Sequence, residues 1–122
     1  MIVAGFGFRA AARVESLRDA LDRAGAPEVP GLLATAADKA EAAVFRSFTE
    51  ETGVPVRPVP AAELGRQATA TGSAASRAAR GTGSVAEAAA LAAAGPGARL
   101  LGPRVISSDR MATCALARGE DT

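Results

Sequence analysis

The chain opens MIVAGFGFRAAARVESLRDAL, a short apolar run that leads through glycines into a segment with helical spacing. This strand-to-helix succession recurs along the sequence and constrains the fold more than any other feature. Ile2 to Phe6 reads as a buried strand, apolar and closed by glycine. Val14, Leu17, Leu21 and Ala24 then fall on one face of a helix over Val14 to Ala24. Ser16 and Asp19 give a capping pattern near its start, and Gly25 with Pro27 ends it. Parallel strands need long crossovers, and helices supply them. Repeated strand–helix units therefore predict helices packed on a mostly parallel sheet.

The remaining segments continue the pattern. VPGLLATAA predicts a second strand centred on Leu32 to Thr35, and Asp38 to Thr52 predicts a helix with Val44, Phe45 and Phe48 turned inward. The prolines of VPVRPVP confine that run to a short or edge strand, and AAELGRQ reads as a short third helix. Ala68 to Gly83 is small and polar and reads as a loop. Ser84-Val85-Ala86-Glu87 is a capping box opening a helix that stops at Gly95-Pro96. ARLLGPRVISSDRMATCALAR predicts two strands around an SSDR turn. The expected fold is α/β: a single three-layer domain over residues 1–122, mostly parallel, with a C-terminal antiparallel hairpin and helices on both faces. Residues 118–122 are expected to fray.

Composition narrows the function classes. Four Phe are the only aromatic residues, so alanine must fill much of the core and helices must pack closely through small side chains. A net charge of +1 gives no field for nucleic acid, and neither a basic stripe nor a stacking platform is visible. No run approaches the roughly 18 apolar residues of a membrane span. Cys114 is the sole cysteine, which fits a reducing cytoplasm. With no histidine, a protein-held metal is not expected.

Gly5, Gly7 and Ala10 satisfy G-x-G-x-x-A, the dinucleotide pattern, but neither Asp22 nor Asp38 sits where that reading needs an acidic residue. The same glycines can simply permit a tight turn. A third reading pairs GFGFR with the later RGTGSVAE. In a parallel sheet both turns gather at the edge formed by strand C-termini. Their amides, two helix N-termini, Arg9 and Arg80 would then line one cleft suited to carboxylates or phosphates.

Four patterns in order carry a resemblance: GFGFRAAA, LATAADKAEAA, GTGSVAEAAALAAAG and LLGPRVISSDRMATCALAR. With these the chain resembles the CobE/CbiG C-terminal domain family of cobalamin-biosynthesis proteins. One departure is Pro103-Arg104, where the resemblance leads one to expect a lysine. The resemblance implies a role in building the corrin ring of vitamin B12. CbiG proteins open the δ-lactone of cobalt-precorrin-5A and release acetaldehyde, with a further N-terminal region that this sequence lacks. The chain is thus expected to be closer to the stand-alone form of the family, binding a polycarboxylate corrin precursor and handing it on or assisting its transformation. The alternatives are lactone hydrolysis and a small nucleotide-binding module using GFGFRA. The implied partners are a precorrin-type tetrapyrrole and other enzymes of the cobalamin pathway, and a homodimer would bury such a ligand more fully. Any cobalt would be held by the macrocycle, so no further cofactor is implied.

The expected ligand-binding residues are Gly5, Gly7, Phe8, Arg9, Thr35, Lys39, Gly81, Gly83 and Ser84. Glu87 and Glu41 are the candidates for catalysis. Each has a plainer reading. Arg9 can be a solvated loop arginine, and Lys39 (the only lysine) a surface residue or an ion-pair partner of Asp38 or Glu41. A cation early in a helix opposes the dipole, which marks Lys39 out. Glu87 and Ser84 are accounted for by the capping box, Phe6 or Phe8 by the core, and Cys114 by burial as a small hydrophobe.

Overall fold

The computed structural model describes residues 1–67 and 84–120. Strands β1 (Ile2–Phe8), β2 (Leu32–Ala36) and β3 (Val56–Val59) alternate with helices α1 (Val14–Ala24), α2 (Ala37–Ala40) and α3 (Ala43–Thr52). Helix α4 (Ala61–Gly65) follows β3, and α5 (Val85–Ala94) precedes the short β4 (Arg99–Leu100) and β5 (Val105–Ile106) and the long β6 (Ala112–Arg118). The sheet order is β3-β2-β1-β6-β4, with β5 also paired to β6. β1, β2 and β3 are parallel, and β6 runs antiparallel to β1, β4 and β5. Among the described residues, five strands therefore point one way and β6 is reversed.

Alternation along β1 divides the core into two layers. Ile2, Ala4 and Phe6 face α1 and α3, joining Leu17, Ala20, Leu33, Phe45, Phe48, Cys114 and Leu116. Phe6 meets Phe45 and Phe48 edge-on, with centroids 5.9 and 5.3 Å away, pairs worth about 1 kcal/mol each beyond their burial. Val3 faces the other side, where Ala34, Ala36, Val59, Leu64, Ala88 and Ala89 form the layer under α4 and α5. Gly5 and Gly7 share that side. A Cβ on Gly5 would stand 2.1 Å from the Ala86 carbonyl oxygen, so glycine is what lets α5 lie directly on β1. The close packing through small residues expected from composition is thus present in α5 and β1.

Several boundaries differ from the sequence reading. β1 runs to Phe8, two residues beyond Phe6, because β6 pairs along its whole length from Ile2↔Arg118 to Phe8↔Ala112. Gly5 and Gly7 therefore lie inside a strand and form no phosphate-cradling turn. The helix expected over Asp38 to Thr52 breaks at Ala42, whose backbone is extended (φ −64°, ψ 137°). The break lets Ala40 bury in one direction while Phe45 and Phe48 reach Phe6. Ser16 is the third residue of α1; its Oγ accepts the Arg13 N–H at 3.1 Å, and Asp19 reaches Ser108 instead of capping. The first arm of the closing hairpin divides into β4 and β5. Arg118 is held in β6, and Gly119 donates to the Met1 carbonyl at 3.2 Å, so fraying does not begin at 118. The loop expected over Ala68 to Gly83 lies outside the described residues, as do Arg80, Gly81 and Gly83.

Candidate functional site

The carboxyl end of β1 is where the connections of the sheet diverge. From β1 the chain proceeds through α1 and α3 on one face to β2 and β3. It then crosses the opposite face through α4 and α5 to reach β4 beyond β6. Open α/β sheets bind ligands where connections diverge in this way, outside the strand C-termini.

Phe8 ends β1 at this edge, and Arg9 follows it. The Phe8 ring stacks on Phe45 at 5.6 Å with an interplanar angle of 4°. Lys39, on the short turn after β2, places its Nζ 4.9 Å from the Phe8 centroid, a cation–π contact. It is the Phe8 ring that Lys39 rests against. Because α2 has four residues, the helix-dipole argument for Lys39 loses its basis. Arg9 is exposed, and its backbone N–H donates to the Met111 carbonyl at 2.9 Å.

On the opposite face the amino end of α5 meets the same edge. A Cβ on Gly7 would lie 3.5 Å from Val85 Cβ and 3.7 Å from Ala86 N. Ser84 caps the helix by accepting the Glu87 N–H at 3.3 Å. The two segments paired in the sequence reading thus converge as far as they are described, with Gly7 beside Val85-Ala86. Thr113, at the start of β6, donates its Oγ1 to the Gly7 carbonyl at 3.3 Å and is half-buried at this edge. Sequence reasoning assigned Thr113 to a strand motif only; its pairing with Gly7 depends on β6 lying beside β1, a long-range choice with no local signal.

Other candidates are buried or stand apart from Phe8 and Arg9. Thr35 is fully buried, its Oγ1 donating to the Phe6 carbonyl at 2.8 Å. That bond ties β1 to β2 just past their last paired residues, Gly5 and Ala34. Glu87 is also fully buried, and its Oε2 accepts the Arg104 N–H at 2.8 Å, fastening α5 to the segment between β4 and β5. Glu41 is exposed at the break between α2 and α3. Cys114 is buried, and burial pushes its thiol pKa far up. Among the described residues no group of three or more His, Cys, Asp or Glu could hold a metal ion, and no helix is long and apolar enough to cross a membrane.

The family model for the cobalamin synthesis G C-terminus matches residues 2–117. The chain belongs to that family. Among solved structures, CobE, a protein from the cobalamin (vitamin B12) biosynthetic pathway, is 33% identical with a TM-score of 0.85, over 97% of this chain and 89% of its own. The cobalamin biosynthesis protein chiG from Agrobacterium tumefaciens is 32% identical with a TM-score of 0.73, over 99% of this chain and 100% of its own. A chain described as a cobalamin biosynthesis protein G homolog, from Sulfolobus solfataricus, shares the fold at 22% identity and a TM-score of 0.70, with 98% of this chain covering 37% of that one. No curated protein matches the sequence. Membership in this family of cobalamin biosynthesis proteins agrees with the resemblance carried by the four sequence patterns, and the mixed α/β fold is the one CobE has.

Proposed function

We propose that this protein binds a polycarboxylate corrin precursor at the carboxyl edge of its sheet, handing it on or assisting its transformation within the cytoplasmic cobalamin pathway. The observation that carries this reading is the Lys39–Phe8 contact beside Arg9 on one face of the sheet edge, with the amino end of α5 against Gly7 on the other face. Corrin precursors are broad macrocycles rimmed by acetates and propionates. The half-buried Phe8 side chain offers apolar contact to such a macrocycle, while Arg9 and Lys39 supply charge-assisted hydrogen bonds to the rim. The amino end of α5 adds a favourable potential for a carboxylate. Cobalt, when present, travels in the macrocycle as part of the substrate.

Binding is favoured over lactone hydrolysis by the setting of the two glutamates. Glu87 is withdrawn from solvent and accepts a backbone N–H, whereas Glu41 is exposed. A nucleotide reading is disfavoured because Gly5 and Gly7 are occupied by strand pairing and by α5.

Titration with a precorrin-type pigment, or with uroporphyrin as an available acetate- and propionate-rimmed tetrapyrrole, tests the proposal. A saturable shift of the visible spectrum without acetaldehyde release is expected. Acetaldehyde release from a lactone-bearing precorrin would select the hydrolase instead. Nucleotide binding with no pigment binding would refute the tetrapyrrole reading.

A further inference from the structure

The turn before β6 abuts the same edge, and its geometry is unusual. Arg110 has φ +63°, and it is the sole non-glycine residue with positive φ among the described residues. A bulky L-residue is disfavoured in that conformation, which glycine adopts freely. The surrounding hydrogen bonds enforce it. The Arg110 N–H donates to the Ser107 carbonyl at 2.9 Å. The buried Ser107 Oγ donates to Asp109 Oδ1 at 2.6 Å and accepts the Ala112 N–H at 3.0 Å. The other carboxylate oxygen, Oδ2, accepts the hydroxyl of buried Ser16 at 2.6 Å.

This turn also holds both ends of the segment that carries Arg9. Met111 accepts the Arg9 N–H, and Ser16, itself bound to Asp109, accepts the Arg13 N–H. Arg110 is exposed and makes no ion pair with any described residue. A strained backbone carrying an exposed guanidinium on the turn bonded to the Arg9 segment is the kind of outlier that marks functional positions.

We infer that Arg110 is a further carboxylate-binding residue of the edge site, with Asp109 as the residue that positions it. The ligand class rests on the corrin-precursor reading; the assignment of the arginine rests on the turn. In this arrangement Arg9 and Arg110 approach a macrocycle rim from two neighbouring backbone segments joined by one hydrogen bond.

Arg110→Gly separates binding from folding, because glycine relieves the strained backbone while deleting the guanidinium. Affinities for uroporphyrin and for mellitate, a small flat ring rimmed by carboxylates, are measured alongside thermal stability. Arg99→Ala, which removes an equal charge from β4, is the control. Arg110→Gly is expected to weaken binding of both probes about tenfold, the loss of one charge-assisted contact, with Tm unchanged or raised. Arg110→Lys should recover part of the affinity. Asp109→Asn should weaken binding in the native background and by less in the Arg110→Gly background. Mellitate binding that depends on Arg110, with uroporphyrin ignored by every form, would keep the arginine assignment and remove the tetrapyrrole reading. Uroporphyrin binding weakened by Arg9→Ala but as tight in Arg110→Gly as in Arg99→Ala would overturn the inference alone. Binding of neither probe by the native protein would overturn both.

Discussion

Gly5 and Ala86 are in closer opposition than any side chain on residue 5 would allow: a Cβ at Gly5 would fall 2.1 Å from the Ala86 carbonyl oxygen and 2.6 Å from the Ala90 nitrogen. Both obstacles are backbone atoms, so neither can rotate away. Gly5→Ala must therefore push α5 off the sheet, with an expected loss of about 3 kcal/mol, the upper range for overpacking a core. At Gly7 the nearest atom is Thr113 Oγ1 at 3.0 Å, a side-chain atom that can turn. Gly7→Ala should cost less than half as much. Denaturant unfolding of both variants checks the ranking; equal losses would contradict the account of α5 packing.

Thr35 offers a second test of the fold. Its hydroxyl satisfies the Phe6 carbonyl where β1 and β2 stop pairing, and it is wholly buried. Thr35→Val keeps the shape but leaves that acceptor unmet, at an expected cost of about 1–3 kcal/mol. Thr35→Ser retains the bond and should lose less. A Val variant as stable as the native protein would show that the bond is dispensable.

What the sequence disclosed and what it concealed follow from the range of the interactions involved. The α1 pattern, the edge character of β3 and the start of α5 at Ser84 were legible because periodicity, proline and a cap act within a few residues. The extension of β1 through Gly7 to Phe8 was not, because it depends on β6, more than a hundred positions away. The break between α2 and α3 was hidden by a continuous helical composition that two packing directions override. Of the residues proposed for the site, Phe8, Arg9, Lys39 and Ser84 lie in the family patterns of the sequence. Thr113 and Arg110 join the proposal only through the folded sheet, which brings the β6 end beside β1.

Acid should loosen the turn that holds the Arg9 segment. Hydrogen bonds from Ser107 and then Ser16 keep the Asp109 carboxyl below its ordinary pKa of 3.8, and the Ser108 N–H does the same for Asp19. A depressed carboxyl pKa stabilises the folded state above the ordinary value. That stabilisation disappears as pH falls below 3.8 through the folded-state values. Tm measured from neutral pH into this acid range should fall more steeply for the native protein than for Asp109→Asn, which has no carboxylate to protonate. Parallel curves would contradict the link.

Arg9→Ala and Lys39→Ala separate binding from stability in another way. Arg9 is exposed, and the Lys39–Phe8 contact contributes about 0.5–1 kcal/mol at such a site. Each variant should lose about tenfold in tetrapyrrole affinity while its Tm stays near the native value. A large drop in Tm with intact affinity would make both residues structural.

The most direct measurement is amide NMR shift mapping of the protein titrated with uroporphyrin. The expected changes concentrate at Gly7 to Arg13, Lys39, Ser84 to Ala86 and Arg110 to Thr113, the carboxyl edge of the sheet. The opposite edge carries an open cavity of about 550 Å³ lined by Leu21, Val29, Leu33 and Val54 among others. Changes centred on that cavity, or none anywhere at saturating pigment, would contradict the account.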